Sequence, residues 1–292
     1  MTRTRRTLTE RCDGPLCAAS ALRTVVNHTL PGAEITDPVA GRHVRLLRLD
    51  GRSIRVTVQP MSTGVSVEHD GVGSDDPWVR GWVRWWFDLD ADVAAIDRAL
   101  AADPLLRGQV IERPGVRVTR YGSGFEAATM TVVGQQVSLA AARTFGGRLV
   151  DAYGGDPHRD LRPFPDPRRL AAEPLERLRA TVGLTNARAR TVRAVAALFA
   201  DGFVLQPDTD PVAAQRELAA LPGIGPWTVS YLAIRAMSDA DAFPASDAVL
   251  RRALGGVSAR AAEVRAAGWS PYRSYASMRV WAMGLGGDQA GP

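Results

Sequence analysis

Lysine is absent from the 292 residues, so all 36 basic side chains are arginine. With no side-chain amine to form a Schiff base, lysine-driven covalent catalysis is excluded. Cysteine is nearly as scarce: Cys12 and Cys17, with four residues between them, are the only two. Two thiols supply neither a disulfide scaffold nor a four-cysteine cluster, and they read as incidental thiols rather than a metal site. Histidine is limited to His28, His43, His69 and His158. None has an acid or cysteine at ligand spacing, so each reads as an exposed histidine rather than a metal ligand. Long apolar runs are also missing, each being cut by Arg, Asp or Gly well short of a membrane span. The first residues are basic with no apolar stretch behind them, unlike a secretory signal. The expectation is a basic arm over residues 1–12 on a protein of the cytoplasm, associated with the nucleoid and not with a membrane.

What is present is a hydrophobic content of 46%, enough for two or three modest cores. A net charge of +5 and a pI near 9.8 suit a polyanionic partner without identifying one. Residues 13–30 read as a helix after Asp13, closed by Pro31-Gly32. His43–Asp50 and Ser53–Gln59 alternate around an Asp50-Gly51 turn, the pattern of a β-hairpin, with Val44, Leu46 and Arg48 sharing one face. A third strand follows near Gly64–Glu68. Residues 13–75 are therefore expected to form a small antiparallel sheet with a helix across it.

From Asp76 the pattern turns helical. Trp78, Trp82, Trp85 and Trp86 lie on one helical stripe, which reads as core in preference to a base-stacking surface. Asp88-Leu89-Asp90-Ala91-Asp92 is positioned to cap a helix through Ala101, and Asp103-Pro104 to open another turn. Phe125–Tyr153 reads as one long helix carrying Val133-Gly134-Gln135-Gln136-Val137-Ser138, and residues 154–168 as a Pro-rich connector. Helices are expected over Leu170–Thr181 and Asn186–Ala200, the latter with Arg188, Arg190 and Arg193 on a face that is solvated or turned to phosphate.

The most informative stretch runs from Asp210 to Gly255. Asp210 is a plausible N-cap with Pro211 at the first helical position. Two helical patterns then flank Leu221-Pro222-Gly223-Ile224-Gly225-Pro226, and Asp247 follows the second glycine by 22 residues. Gly223 and Gly225 permit positive φ and close approach of a ligand. The amides opening the second helix have no internal partner and form a ready anion site. Taken alone, the hairpin is an ordinary connector and Asp247 an N-cap for the helix over Ala248–Leu254.

The whole string, with Trp227-Thr228, Tyr231, Phe243-Pro244 and the spaced aspartate, resembles the helix-hairpin-helix (HhH-GPD) DNA glycosylase superfamily, and within it the DNA-3-methyladenine glycosylase II family. The resemblance is close over residues 110–285 and only in outline over 13–75. It implies an α+β fold: a small antiparallel-sheet N-terminal domain over 13–75, then a mostly α-helical HhH-GPD glycosylase core over 76–285 with the hairpin motif at 210–237, and a tail at 286–292. It implies a monofunctional enzyme of base excision repair that hydrolyses the N-glycosidic bond of a flipped-out alkylated base in double-stranded DNA, acting as a monomer.

By the same residue match, Asp247 is catalytic, with Ser246 free to take the cap. Trp227, Tyr231 and Trp281 line the base pocket, whose π-rich wall suits an electron-poor, cationic base. Gln136, with Gln135 beside it, plugs the gap left by the base, and the amides of Gly223, Gly225 and Thr228 hold phosphate. The carbonyls of Ala219, Leu221 and Gly223 are implied to bind a structural monovalent cation, Na+ or K+, with no cofactor taking part in the chemistry. Trp227 stands where lyase-type relatives place a lysine nucleophile. The chain departs from the family pattern at Leu16, Thr24 and Ala248, where aromatic residues are usual, so the preferred lesion is left open. Two other readings stand beside this one: an HhH glycosylase for deaminated or mismatched bases, and a DNA-binding module without turnover.

Overall fold

The computed structural model describes residues 5–284. The outermost residues of the expected basic arm, and the tail at 286–292, lie outside them. Strands β1 (Arg6–Arg11), β2 (Glu34–Asp37), β3 (Arg42–Leu49), β4 (Arg52–Met61) and β5 (Gly64–His69) form one antiparallel sheet in the order β1-β5-β4-β3-β2. The β3–β4 turn is the one that Asp-Gly favours: Asp50 and Gly51 stand at φ 49° and 76°, the two positive angles of a type I′ hairpin. Helix α1 (Ala18–His28) starts later than the sequence suggests, because Cys17 rather than Asp13 stands at its N-cap. With α2 (Asp76–Trp86) it covers one sheet face, packing Val25, Val79, Val83 and Trp86 against Ile54, Val56, Val58, Val65 and Val67. The tryptophans are core here, and the indoles of Trp82 and Trp86 donate to the carbonyls of Gly122 (2.8 Å) and Arg120 (2.9 Å).

Several expectations are corrected. The basic arm is, from Arg6, an edge strand. Arg6 holds Asp76 at 2.7 and 2.6 Å, and buried Glu10 takes Arg80 and Arg84. Val44, Leu46 and Arg48 do share one face of β3, and the opposite face turns His43, Arg45 and Leu47 inward. The histidines are not exposed: His43 and His69 are buried, and His158 bonds Asp70 at 2.7 Å, tying the connector to the sheet. Each turns inward because a polar partner waits there.

Arg45 joins the sheet to the helical core. Its guanidinium bonds Glu34 (2.9 Å) and Glu126, and lies over the rings of Trp82 and Trp86. Burial, followed by the neighbouring Glu126, raises the pKa of Glu34 despite Arg45. Arg45→Met should therefore strand two buried carboxylates and lower stability by about 3–5 kcal/mol. Urea denaturation checks this, and a loss of only a few tenths would contradict it.

The rest is helical: α3 (Val93–Leu100), α4 (Pro104–Glu112), α5 (Gly124–Val133), α6 (Leu139–Tyr153), α7 (Pro167–Ala172), α8 (Leu175–Val182), α9 (Asn186–Ala200), α10 (Pro211–Ala219), α11 (Pro226–Ala236), α12 (Ala248–Ala253), α13 (Ala259–Ala266) and α14 (Arg273–Gly284). The long helix expected over Phe125–Tyr153 is two. Gly134 ends α5, Gln136 adopts φ 55°, and the Ser138 hydroxyl accepts from the amide of Ala141 (3.2 Å) to start α6. One core is built on α5, whose residues are all buried, with α9 and α11 against it. A second core gathers α3, α4, α12, α13 and α14 around Trp269, with Tyr275 and Met278 turned inward. No helix among the described residues is long and apolar enough to cross a membrane.

Candidate active site

The hairpin between α10 and α11 is fixed from below by α9. Asp210 caps α10 by accepting from the amide of Val212 (3.0 Å), and the amide of Ile224 closes the turn on the Leu221 carbonyl (3.2 Å). The Thr191 hydroxyl donates to the Pro222 carbonyl (2.9 Å) and fills the place a Gly223 Cβ would take, 2.1 Å away. Gly223 has φ 85°, whereas Gly225 has φ −100° and does not use the left-handed region expected of it. Instead, nothing lies within 4 Å of a Cβ placed on Gly225, so that side of the turn is open. Pro226 has no N–H, and the first helical bond of α11 is Val229 to Gly225. The amides of Gly225, Trp227 and Thr228 are therefore left outside the helix ladder.

The α5–α6 break sits against this turn. Gln135 donates from Nε2 to the Gly223 carbonyl (3.1 Å) and the Thr228 hydroxyl (3.0 Å), while Arg188 grips its carbonyl. Gln135 is thus a brace on the hairpin, and Gln136 is the exposed tip beside it. Of the three carbonyls that the resemblance assigns to a cation, that of Leu221 accepts the Ile224 amide and that of Gly223 accepts Gln135 Nε2, each keeping a second lone pair.

Asp247 is 7% exposed and caps α12 itself, which corrects the assignment of that cap to Ser246. A carboxylate has two oxygens, so capping and facing a cavity do not compete. Oδ1 accepts from the amide of Leu250 (2.8 Å) and the Trp281 indole (3.1 Å); Oδ2 accepts from the Trp227 indole (2.8 Å). Trp227 stacks on Tyr231 at 5.4 Å and 23°, and Trp281 meets Tyr231 edge-on at 5.6 Å. These four side chains share the wall of one cavity of about 270 Å³, closed elsewhere by α1, α5 and the start of α6. Thr24 is on that wall, but Leu16 is buried in the sheet core instead, and Val249 rather than Ala248 reaches the cavity.

Two wall residues escaped the sequence reading. On His28, Nδ1 sits 2.7 Å from the Thr24 carbonyl and so carries the proton, leaving Nε2 to accept from the Tyr231 hydroxyl (3.3 Å). Burial, then Arg235, push its pKa down to about 3. A histidine neutral in the fold but titrating near 6.5 when unfolded contributes stability above pH 6.5 that is lost as pH falls towards 3. Between pH 7.5 and 4.5 the wild type should lose about 2–3 kcal/mol more than His28→Gln. Equal losses in paired urea titrations would contradict the assignment. Arg235 is the other; an arginine four residues after Tyr231 on a buried helix face was the only signal for it.

Fold and pocket together define a helix-hairpin-helix protein with an aromatic cavity beside the hairpin. Residues 129–269 match the family model described as HhH-GPD superfamily base excision DNA repair protein, and residues 11–123 match that of the AlkA N-terminal domain. An AlkA-type N-terminal domain followed by an HhH-GPD domain is the arrangement of a DNA-3-methyladenine glycosylase II-like protein. Over 207 residues it is 45% identical to a Mycobacterium tuberculosis protein named probable bifunctional transcriptional activator/DNA repair enzyme AlkA, covering 68% of this chain and 41% of that one. Over 172 residues it is 31% identical to DNA-3-methyladenine glycosylase 2 of Escherichia coli, covering 58% of this chain and 61% of the relative. The chain thus spans between two fifths and about three fifths of these relatives' length. Among solved structures, a 3-methyladenine DNA-glycosylase from Archaeoglobus fulgidus superposes with a TM-score of 0.83 at 20% identity, covering 94% of this chain and 97% of that one.

Proposed function

We propose that this chain is a monofunctional DNA glycosylase that hydrolyses the N-glycosidic bond of alkylated bases in duplex DNA, acting as a monomer. The observation that carries the reading is Asp247, held by two indoles at the wall of an aromatic cavity beside the hairpin. A base stacked in a duplex must be everted before its glycosidic bond is reached, at a cost of a few kcal/mol. The amides of Gly223, Gly225 and Thr228, together with that of Trp227, would hold the neighbouring phosphate without reading sequence. Gln136, exposed at the tip of the α5–α6 break, would fill the vacated stack, while Gln135 keeps that tip in register with the hairpin. The everted base would enter beside Trp227, Tyr231 and Trp281.

As the base departs, positive charge develops on the deoxyribose, and an ionised carboxylate fixed beneath it stabilises that charge and orients the attacking water. Three N–H donors fix the direction of the Asp247 oxygens, so little reorganisation is needed at that moment. No lysine exists to continue by Schiff-base chemistry, and the product should be an abasic site on an unbroken strand. A monovalent ion on the carbonyls of Ala219, Leu221 and Gly223 would add positive charge at the phosphate.

Duplexes bearing 3-methyladenine, 1,N6-ethenoadenine, hypoxanthine or uracil test this. The alkylated substrates should nick at the lesion only after alkali. Nicking confined to uracil or hypoxanthine would assign the chain to deaminated bases. Binding with no nicking on any substrate would leave a DNA-binding module.

A further inference from the structure

Resting on the glycosylase reading and deepening it, we infer that α1 supplies a second phosphate grip at the cavity mouth. In it Arg23, aided by Asn27, takes the backbone phosphate of the everted nucleotide that the hairpin leaves free. Ser20, Arg23, Thr24 and Asn27 recur at helical spacing along α1, and all four border the cavity. Among the described lining residues Arg23 is the only charged side chain that is exposed; Arg117, Arg235 and Asp247 are buried. Among the described residues the Arg23 guanidinium has neither a hydrogen bond nor an ion pair, and the Asn27 carboxamide has no hydrogen bond. Both therefore stand at the rim with their donors unspent. Thr24 differs, since its hydroxyl donates to the Ser20 carbonyl (3.0 Å).

An unpaired arginine on a surface is ordinary; its surroundings here suit an anion. Helix α1 contains no acid, and neither does the stretch 134–150 that carries the plug and most of α6. Arg143 Nε donates to the Thr29 carbonyl (3.0 Å), which ties α6 to the end of α1 so that this side of the mouth is one piece. Glu34, beyond the end of α1, is buried and committed to the Leu30 amide (2.8 Å) and to Arg45 (2.9 Å). Asp247 is the one carboxylate among the described lining residues, and three N–H donors already hold it. An everted nucleotide carries a phosphate on each side of its sugar, and both remain at the mouth once the base is inside. The amides opening α11 suit one of them. Along the rest of the rim Val137, Leu139, Val249 and Ala282 offer no side-chain donor. The planar fork of Arg23 matches two phosphate oxygens at once, with the Asn27 amide one helical turn away. Because Arg23 borders the cavity and not the hairpin, the contact forms with an everted nucleotide and not with an undistorted duplex.

The test compares binding to a duplex carrying a tetrahydrofuran abasic analogue, which has no glycosidic bond to cleave, with binding to the undamaged duplex over a range of salt. Arg23→Ala should weaken the tetrahydrofuran complex by about fivefold or more and flatten the slope of log K against log salt by about one. On the undamaged duplex its effect should be about twofold or less. Arg23→Lys should keep the slope and lose part of the affinity, because a point charge replaces the fork. Asn27→Asp, similar in shape but negative beside the same phosphate, should also weaken the tetrahydrofuran complex by about fivefold or more. Arg98→Ala, which removes an exposed arginine of α3 away from the cavity wall, should match the wild type. Wild-type affinity and slope in Arg23→Ala, with the tetrahydrofuran duplex still preferred, overturn the second grip and leave the glycosylase reading intact. An equal fall on the undamaged duplex, or in Arg98→Ala, also overturns it, since net charge alone would then be at work. A wild type that binds both duplexes alike overturns the grip and the glycosylase reading together.

Discussion

Asp247→Asn is expected to lower single-turnover base release by on the order of 10³-fold while the protein still folds and binds duplex DNA. The substitution separates the two duties of this residue. Asparagine caps helices about as well as aspartate, so its carbonyl oxygen can keep the bond that Oδ1 makes with Leu250. The amide nitrogen must then take the place of Oδ2, where the Trp227 indole N–H points from 2.8 Å. Donor meets donor, and the lost hydrogen bond should cost about 1–2 kcal/mol of stability, far short of unfolding. Duplex affinity rests on phosphate contacts and should be unchanged or slightly tighter, because a negative charge has been removed. The fall in rate therefore reports the loss of that charge under the sugar. Melting, anisotropy and gel-based release on one preparation distinguish this from misfolding. Release within about tenfold of wild type would mean that another group does the chemistry.

The second large effect separates two glycines that look equivalent in the sequence. Gly223→Ala must place a Cβ on a residue at φ 85°, 2.1 Å from the Thr191 hydroxyl. Left-handed strain of about 1–2 kcal/mol adds to the loss of the Thr191–Pro222 bond, about 1 kcal/mol more. The hairpin should shift, with stability and DNA affinity falling together. Gly225→Ala meets nothing within 4 Å and sits at φ −100°. It should cost about 1 kcal/mol or less in stability yet lower DNA affinity by tenfold or more, since the methyl projects where phosphate would approach. Full affinity in Gly225→Ala would show that the strand does not lie on the open side of the turn.

The sequence revealed the hairpin well because its signals are local: Pro and Gly at the turn, an aspartate cap at Asp210, and aromatics at Trp227 and Tyr231 one helical turn apart. Asp247 was legible as a candidate only through its spacing from the hairpin. What the spacing left open was its second oxygen, and cap and cavity turn out to share one carboxylate. The polar interior was hidden for a different reason. Arg45 on a strand reads as solvent-facing until Glu126, 81 residues later, supplies an inward partner. His28 and Arg235, 203 and 4 positions from Tyr231, show the same limit, since only the fold brings the first to its ring. The helix break at Gly134–Ser138 carried ordinary cap signals, outweighed by an uninterrupted apolar pattern on either side. Leu16 was set opposite a family pocket aromatic by element order alone, yet it packs into the sheet core.

The most direct test of the central claim is to weigh the products of one turnover on a duplex carrying a single alkylated base. The account predicts free damaged base together with a full-length strand lighter by the mass of that base less the one water gained, formed by wild type and not by Asp247→Asn. A strand recovered at its starting mass despite tight binding, or a strand broken without alkali, would contradict it.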